Sequence, residues 1–159
     1  MSVPNMYQDG FRLLNNYCKK RTFKVAAAVA IAFGDALIIG GNAGYISLAT
    51  TLQGNILFKG VANSANTAAE ANADGDEDVE VIPPLPEYDF MVPCEATGVI
   101  AQTDVGLIYD LQTEDGIDEA DLVTFGFGFH IDAIDISSAA VAANTNGYAI
   151  GHFEYLAAS

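Results

Sequence analysis

The sequence predicts an all-β fold, a small β-barrel or β-sandwich (β-tulip-like), preceded by an extended N-terminal arm. Three observations predict it. From Phe23 onward, short apolar runs alternate with Gly, Asn, Asp and Pro at close spacing, the texture of strands joined by tight turns. Several runs alternate apolar and polar residues with period two, as half-buried strands do. No segment carries an apolar stripe of period 3.6 over an ordinary helix length. The chain has 159 residues, one domain's worth, and shows no internal repeat of fixed period. We divide it into an arm, 1–22, and a body, 23–159.

The arm holds Met6, Tyr7, Phe11, Leu13, Leu14 and Tyr17 as apolar anchors. Phe11, Leu14 and Cys18 have helical spacing, which allows a helical turn or two. In the body, strands are expected at 23–32, 36–39, 45–48 and 56–61. Gly40-Gly41-Asn42-Ala43-Gly44 forms the hairpin connection between the second and third, because glycine permits the positive φ of such turns. The stretch 63–78 is rich in Ala, Asn and Asp and reads as a loop. A short strand at 79–82 ends at Pro83-Pro84, since proline cannot donate to a ladder. Strand 88–92 places Tyr88, Phe90 and Val92 on one face, Asp89 and Met91 on the other. Further strands are expected at 98–101, 106–111, 122–127, 130–136 and 148–155. In the last, Tyr148, Ile150, His152 and Glu154 share one face.

Charge is segregated along the chain. The formal net charge is -15. The basic residues are Arg12, Lys19, Lys20, Arg21, Lys24 and Lys59, and every acidic residue except Asp9 and Asp35 follows Lys59. An acidic body repels phosphate, which argues against nucleic-acid binding. The basic head suits an acidic protein neighbour. Apolar residues reach 51% and charged residues only 17%, so exposed apolar surface, and hence an interface, is expected. The run 25–33 follows Lys19, Lys20, Arg21 and Lys24 as the apolar core of a signal peptide follows its charged start. It is too short to span a bilayer and lies far from Met1. It reads as a buried strand of a protein that is neither secreted nor membrane-bound. Cys18 and Cys94 lack metal-type spacing and read as free thiols.

Sites of chemistry are sparse. Asp74, Asp76 and Asp78 stand at the spacing of the first three ligands of a calcium loop. The sixth and twelfth positions, where an EF-hand needs Gly and Glu, hold Val79 and Leu85. A second acidic cluster, Glu114, Asp115, Asp118, Glu119 and Asp121, reads as a solvated or neighbour-pairing loop. His130 is followed by Asp132 and Ser137, but no glycine-flanked nucleophile elbow accompanies them. Gly126-Phe127-Gly128-Phe129 does not continue into a dinucleotide fingerprint and reads as close strand packing. No catalytic residue, metal or cofactor is assigned.

From about Phe23 onward the chain resembles the cement or head-decoration proteins of tailed bacteriophages, a family of small β-barrels. The resemblance rests on six stretches. The first is Val29-Ala30-Ile31-Ala32-Phe33-Gly34-Asp35-Ala36-Leu37. Ile56-Leu57-Phe58-Lys59-Gly60-Val61-Ala62 and Val79-Glu80-Val81-Ile82 follow. The others are Phe90-Met91-Val92-Pro93, Asp104-Val105-Gly106-Leu107-Ile108-Tyr109-Asp110-Leu111 and Gly151-His152-Phe153. The arm here is longer and more basic than the family pattern. The resemblance implies a non-enzymatic structural protein of the virion, made in the host cytoplasm and placed on the outer capsid surface. It implies a homotrimer that bridges major capsid protein subunits and stabilises the shell. On the residues themselves, the arm has the aromatic and arginine composition of interface hot spots. Met6, Tyr7, Phe11, Arg12, Leu14, Tyr17, Lys19, Lys20 and Arg21 are therefore expected to contact the capsid, and removal of 1–22 to leave the body folded. Two other readings stay open. A virion-associated module binding a host-surface or glycan ligand would need exposed aromatic loops. A hydrolase would need His130 or His152 in a pocket beside an acid.

Overall fold

The computed structural model describes residues 7–40, 44–55, 57–96 and 98–157. The strands are β1 (Arg12–Leu13), β2 (Arg21–Lys24), β3 (Ala36–Ile39), β4 (Ile46–Leu48), β5 (Phe58–Ala62) and β6 (Asp78–Ile82), then β7 (Phe90–Pro93), β8 (Ile108–Thr113), β9 (Gly116–Leu122), β10 (Gly126–Asp135) and β11 (Tyr148–Leu156). One short helix, α1 (Ser138–Ala143), lies between the last two strands. The strands form two antiparallel sheets. One has six strands in the order β1-β7-β11-β10-β8-β9 and the other five in the order β2-β6-β5-β3-β4. Neither closes into a barrel among the described residues, so of the two predicted architectures the molecule adopts the sandwich.

Period-two alternation decides which side chains enter the space between the sheets. Phe90, Val92, Phe129, Ile131 and Phe153 come from the six-stranded sheet, and Ala36, Phe58, Val61 and Ile82 from the five-stranded one. The phenylalanines meet edge-on or tilted: Phe153 lies 4.9 Å from Phe58, 5.4 Å from Phe90 and 5.3 Å from Phe129 between ring centroids. Such contacts add roughly 0.5–1.5 kcal/mol each to the burial of the rings. At Gly60, with φ +125°, a side chain would run into the Ile82 carbonyl on the neighbouring strand.

Several expected elements are redrawn. The run 25–33 is not a strand beyond Lys24. Ala28 takes φ +62°, and the chain folds over the outer face of the five-stranded sheet. Val25 and Ile31 are buried there with Leu37, Ile46, Ala62, Ala71, Val79 and Val81 in a second apolar cluster. The stretch 98–101 is not a strand and leads into a 3-10 turn at Gln102–Asp104. The acidic stretch after Gly116, expected as loop, is strand β9, because Ile117 is fully buried opposite Leu111. The strand expected at 122–127 is therefore split, β9 ending at Leu122 and β10 beginning at Gly126. The centre of the 40–44 connection, residues 41–43, lies outside the described residues.

The arm is corrected as well. Its described part, from residue 7, is extended and carries no helical turn. Phe11 is only 3% exposed and its ring lies 5.0 Å from that of Phe153. Arg12 and Leu13 pair with Met91 and Phe90, and Arg21 and Thr22 with Val81 and Glu80. The segment supplies β1, the first half of β2 and a ring to the core, so removal of 1–22 would take ladder and core contacts from both sheets.

Candidate functional site

The predicted contact residues fall into three groups. Met6 lies outside the described residues. Phe11 is consumed by the core, and Tyr7 docks on the outer face of the six-stranded sheet. Its hydroxyl donates to Asp135 at 2.7 Å, and its ring lies 5.1 Å from Tyr148. Arg12 is half-buried on β1. The rest face solvent: Leu14 is 39% exposed and Tyr17 81%, and Lys19, Lys20 and Arg21 are exposed.

The exposed cations gather along β2, which pairs with β6 on one side and, among the described residues, with no strand on the other until Val25, just past its end, bridges to Ile46 of β4. Lys20 and Lys24 pair with Glu80 and Asp78 of β6 at 3.3 and 2.7 Å. Among the described residues, Lys19, Arg21 and Lys59 form no ion pair. Arg21 and Lys59 line a groove of ≈ 540 Å³ with Phe23, Phe58, Pro83, Pro84, Leu85 and Phe127. Two of the chain's six basic residues therefore flank an apolar, aromatic cleft.

A different chemistry sits on the outer face of the six-stranded sheet. His130 of β10 and His152 of β11 are register partners, and directly opposed residues point to the same face. Gly151 lets the strands close up there, since a side chain on it would fall onto the His130 carbonyl. The imidazole centroids lie 4.8 Å apart with planes at 37°. The register shifts between Ile131 and Ala133, which leaves Asp132 as the extra residue of a bulge; bulges re-aim side chains in this way. The Asp132 carboxylate lies across both rings, 3.0 Å from His130 Nδ1 and 2.7 Å from His152 Nδ1. Glu154 stands two residues along the same face, and Asp89 comes from the chain entering β7.

Several of the other acidic groups are structurally engaged. Asp110 is buried and accepts from the Thr51 hydroxyl and the Leu52 and Leu111 amides. Burial pushes Glu95 up to about 7, reinforced by Asp115 against the opposing bond from Thr113. Burial likewise raises Asp35 to about 6. The calcium-type spacing does not converge on a cavity. Asp74 accepts from the Ala27 amide, Asp76 from the Ala73 amide, and Asp78 pairs with Lys24. Ser137 caps α1, accepting from the Ala140 amide, and does not bond either histidine. Asp132, which does, bridges the two rings.

Comparison with known proteins finds no relative. No family model, no curated protein and no solved structure matches the chain. No helix among the described residues is long and apolar enough to cross a membrane.

Sequence reasoning had His130 and His152 as separate strand residues and missed their pairing. The available signal was their shared outward parity on two successive strands. The register that aligns them depends on the glycine at 151 and on the bulge at Asp132. The groove was missed altogether, because its lining comes from four separate segments.

Proposed function

We propose that this chain is a structural protein without an active site, a cement or decoration protein on the outer surface of a tailed-phage head. In this reading it bridges and stabilises subunits of the major capsid protein, and it acts as a homotrimer. The observation that carries the reading is the gathering of cations at β2 and the groove beside it. A body with no Lys or Arg after Lys59 presents Lys19 and Arg21 at the outer edge of β2, with Arg21 and Lys59 at the mouth of an aromatic groove. Arginine and aromatic side chains are the groups that anchor interfaces. A free strand edge can also add a partner's strand by main-chain hydrogen bonds. The partner surface that fits is acidic around an apolar or extended segment. The sequence resemblance supplies the identity of that partner.

The docking residues are accordingly revised to Leu14, Tyr17, Lys19, Lys20, Arg21 and Lys59, with Phe11 and Tyr7 serving the body itself. The triple charge reversal of Lys19, Arg21 and Lys59 to Glu tests the role of the edge. Cosedimentation with heads lacking the chain should show binding weakened by tenfold or more, and wild-type binding should weaken with salt, because exposed charge pairs are screened. Circular dichroism should show an unchanged fold, since none of the three is buried. Undiminished binding of the folded variant would remove this edge from the interface.

A further inference from the structure

The geometry points to a transition-metal site on the outer face of the six-stranded sheet, formed by His130, His152 and Glu154 and oriented by Asp132. The site is independent of the docking edge and of the capsid reading.

The donor atoms of His130, His152 and Glu154 all lie within 4.8 Å of one another. Tetrahedral zinc, with bonds of about 2.0–2.2 Å, needs its donors roughly 3.3 Å apart. Small rotamer adjustments of these three partly exposed side chains would bring the set onto an ion. The two imidazoles are fixed more firmly. A carboxylate can only accept, so each Nδ1 near Asp132 carries its proton toward that carboxylate. Each Nε2 is left with its lone pair free. This is the outer arrangement of metal-binding histidines, in which a carboxylate behind the ring sets the tautomer and raises ligand basicity. Here one carboxylate does so for two rings.

The alternative donor set, Asp89, Asp132 and His152, would require Asp132 to leave its orienting role. It would also supply one nitrogen instead of two. Imidazole nitrogens with one carboxylate suit zinc, copper or nickel, whereas calcium and magnesium prefer oxygen-only cages. The side chains are accessible to an incoming ion, with 26% exposure for His130 and 19% for His152. Strands β10 and β11 carry no Lys or Arg that would repel one. Three protein ligands leave the fourth position for water or for a group from a neighbouring molecule.

Titration of the full chain with zinc chloride by calorimetry, in excess magnesium to occupy the general acidic surface, tests the assignment. One zinc ion per chain should bind. Substitution of His130→Gln or His152→Gln should weaken that binding at least tenfold, and Asp132→Asn about 10–100-fold through loss of ring orientation. Cobalt(II) should give a ligand-field spectrum without the thiolate charge-transfer band that Cys18 or Cys94 would produce. Zinc should raise the melting temperature of the wild type and not of His152→Gln. Absence of saturable binding, or binding that survives both histidine substitutions, would overturn the proposal. Loss of binding in Asp89→Asn with retention in Glu154→Gln would overturn the donor set.

Discussion

The two sheets treat their outer faces differently. The outer face of the five-stranded sheet is covered by the chain itself. Residues 25–34 and the loop before β6 lie over it, and Leu37, Ile46, Val79 and Val81 are buried beneath them. Among the described residues, the outer face of the six-stranded sheet is covered at one end, where α1 and Tyr7 meet Met91, Tyr148 and Ile150. The rest of that face holds His130, His152, Asp132 and Glu154. Strands buried on both faces read as near-continuous apolar runs, whereas strands with one wet face must alternate. A sheet can display polar chemistry only where its own chain leaves it uncovered.

Core truncation separates the two faces most clearly. Leu37→Ala removes a fully buried side chain from beneath the covering layer and should cost about 2–5 kcal/mol. Ile150→Ala, on the half-covered face, should cost about 1–2 kcal/mol because its side chain already meets water in part. Urea denaturation of both variants checks the ranking, and equal losses would mean that the two faces are equally protected.

A smaller effect distinguishes the rim from the faces. Glu95 reaches about 7 from an ordinary 4.5 because burial penalises its charge. The native state therefore holds this proton more tightly than the unfolded chain does. The stability contributed is complete below pH 4.5 and is lost as pH rises through 7. Glu95→Gln should flatten that part of the stability–pH profile and raise the melting temperature at pH 8 relative to wild type. An unchanged slope would exclude Glu95 as its source.

How much of this was legible in the sequence follows from where each signal resides. Strands β3, β7 and β11 are visible as local patterns, and the inward Phe153 and outward His152 follow from parity alone. Gly126-Phe127-Gly128-Phe129 is legible as close packing, and Gly128 indeed stands against Ile108. The 25–33 run misleads because an apolar segment that covers a sheet has the same composition as a strand within one. Strand β9 hides beneath its acids, since its one large fully buried anchor, Ile117, is outnumbered by the carboxylates of Asp118, Glu119 and Asp121. The arm misleads because Phe11 sits in a locally polar, basic segment while its burial is decided by Phe90, Phe129 and Phe153 far along the chain. The histidine pair depends on register, and register is a property of two strands together.

The central claim, a cement role, is tested most directly by counting copies. Quantitative mass spectrometry of purified phage particles gives the ratio of this chain to the major capsid protein. The account predicts a simple lattice ratio, near one-to-one or a fixed fraction of it. A few copies per particle would instead place the chain on a fibre or receptor-binding module, and its absence from the particle would contradict the account.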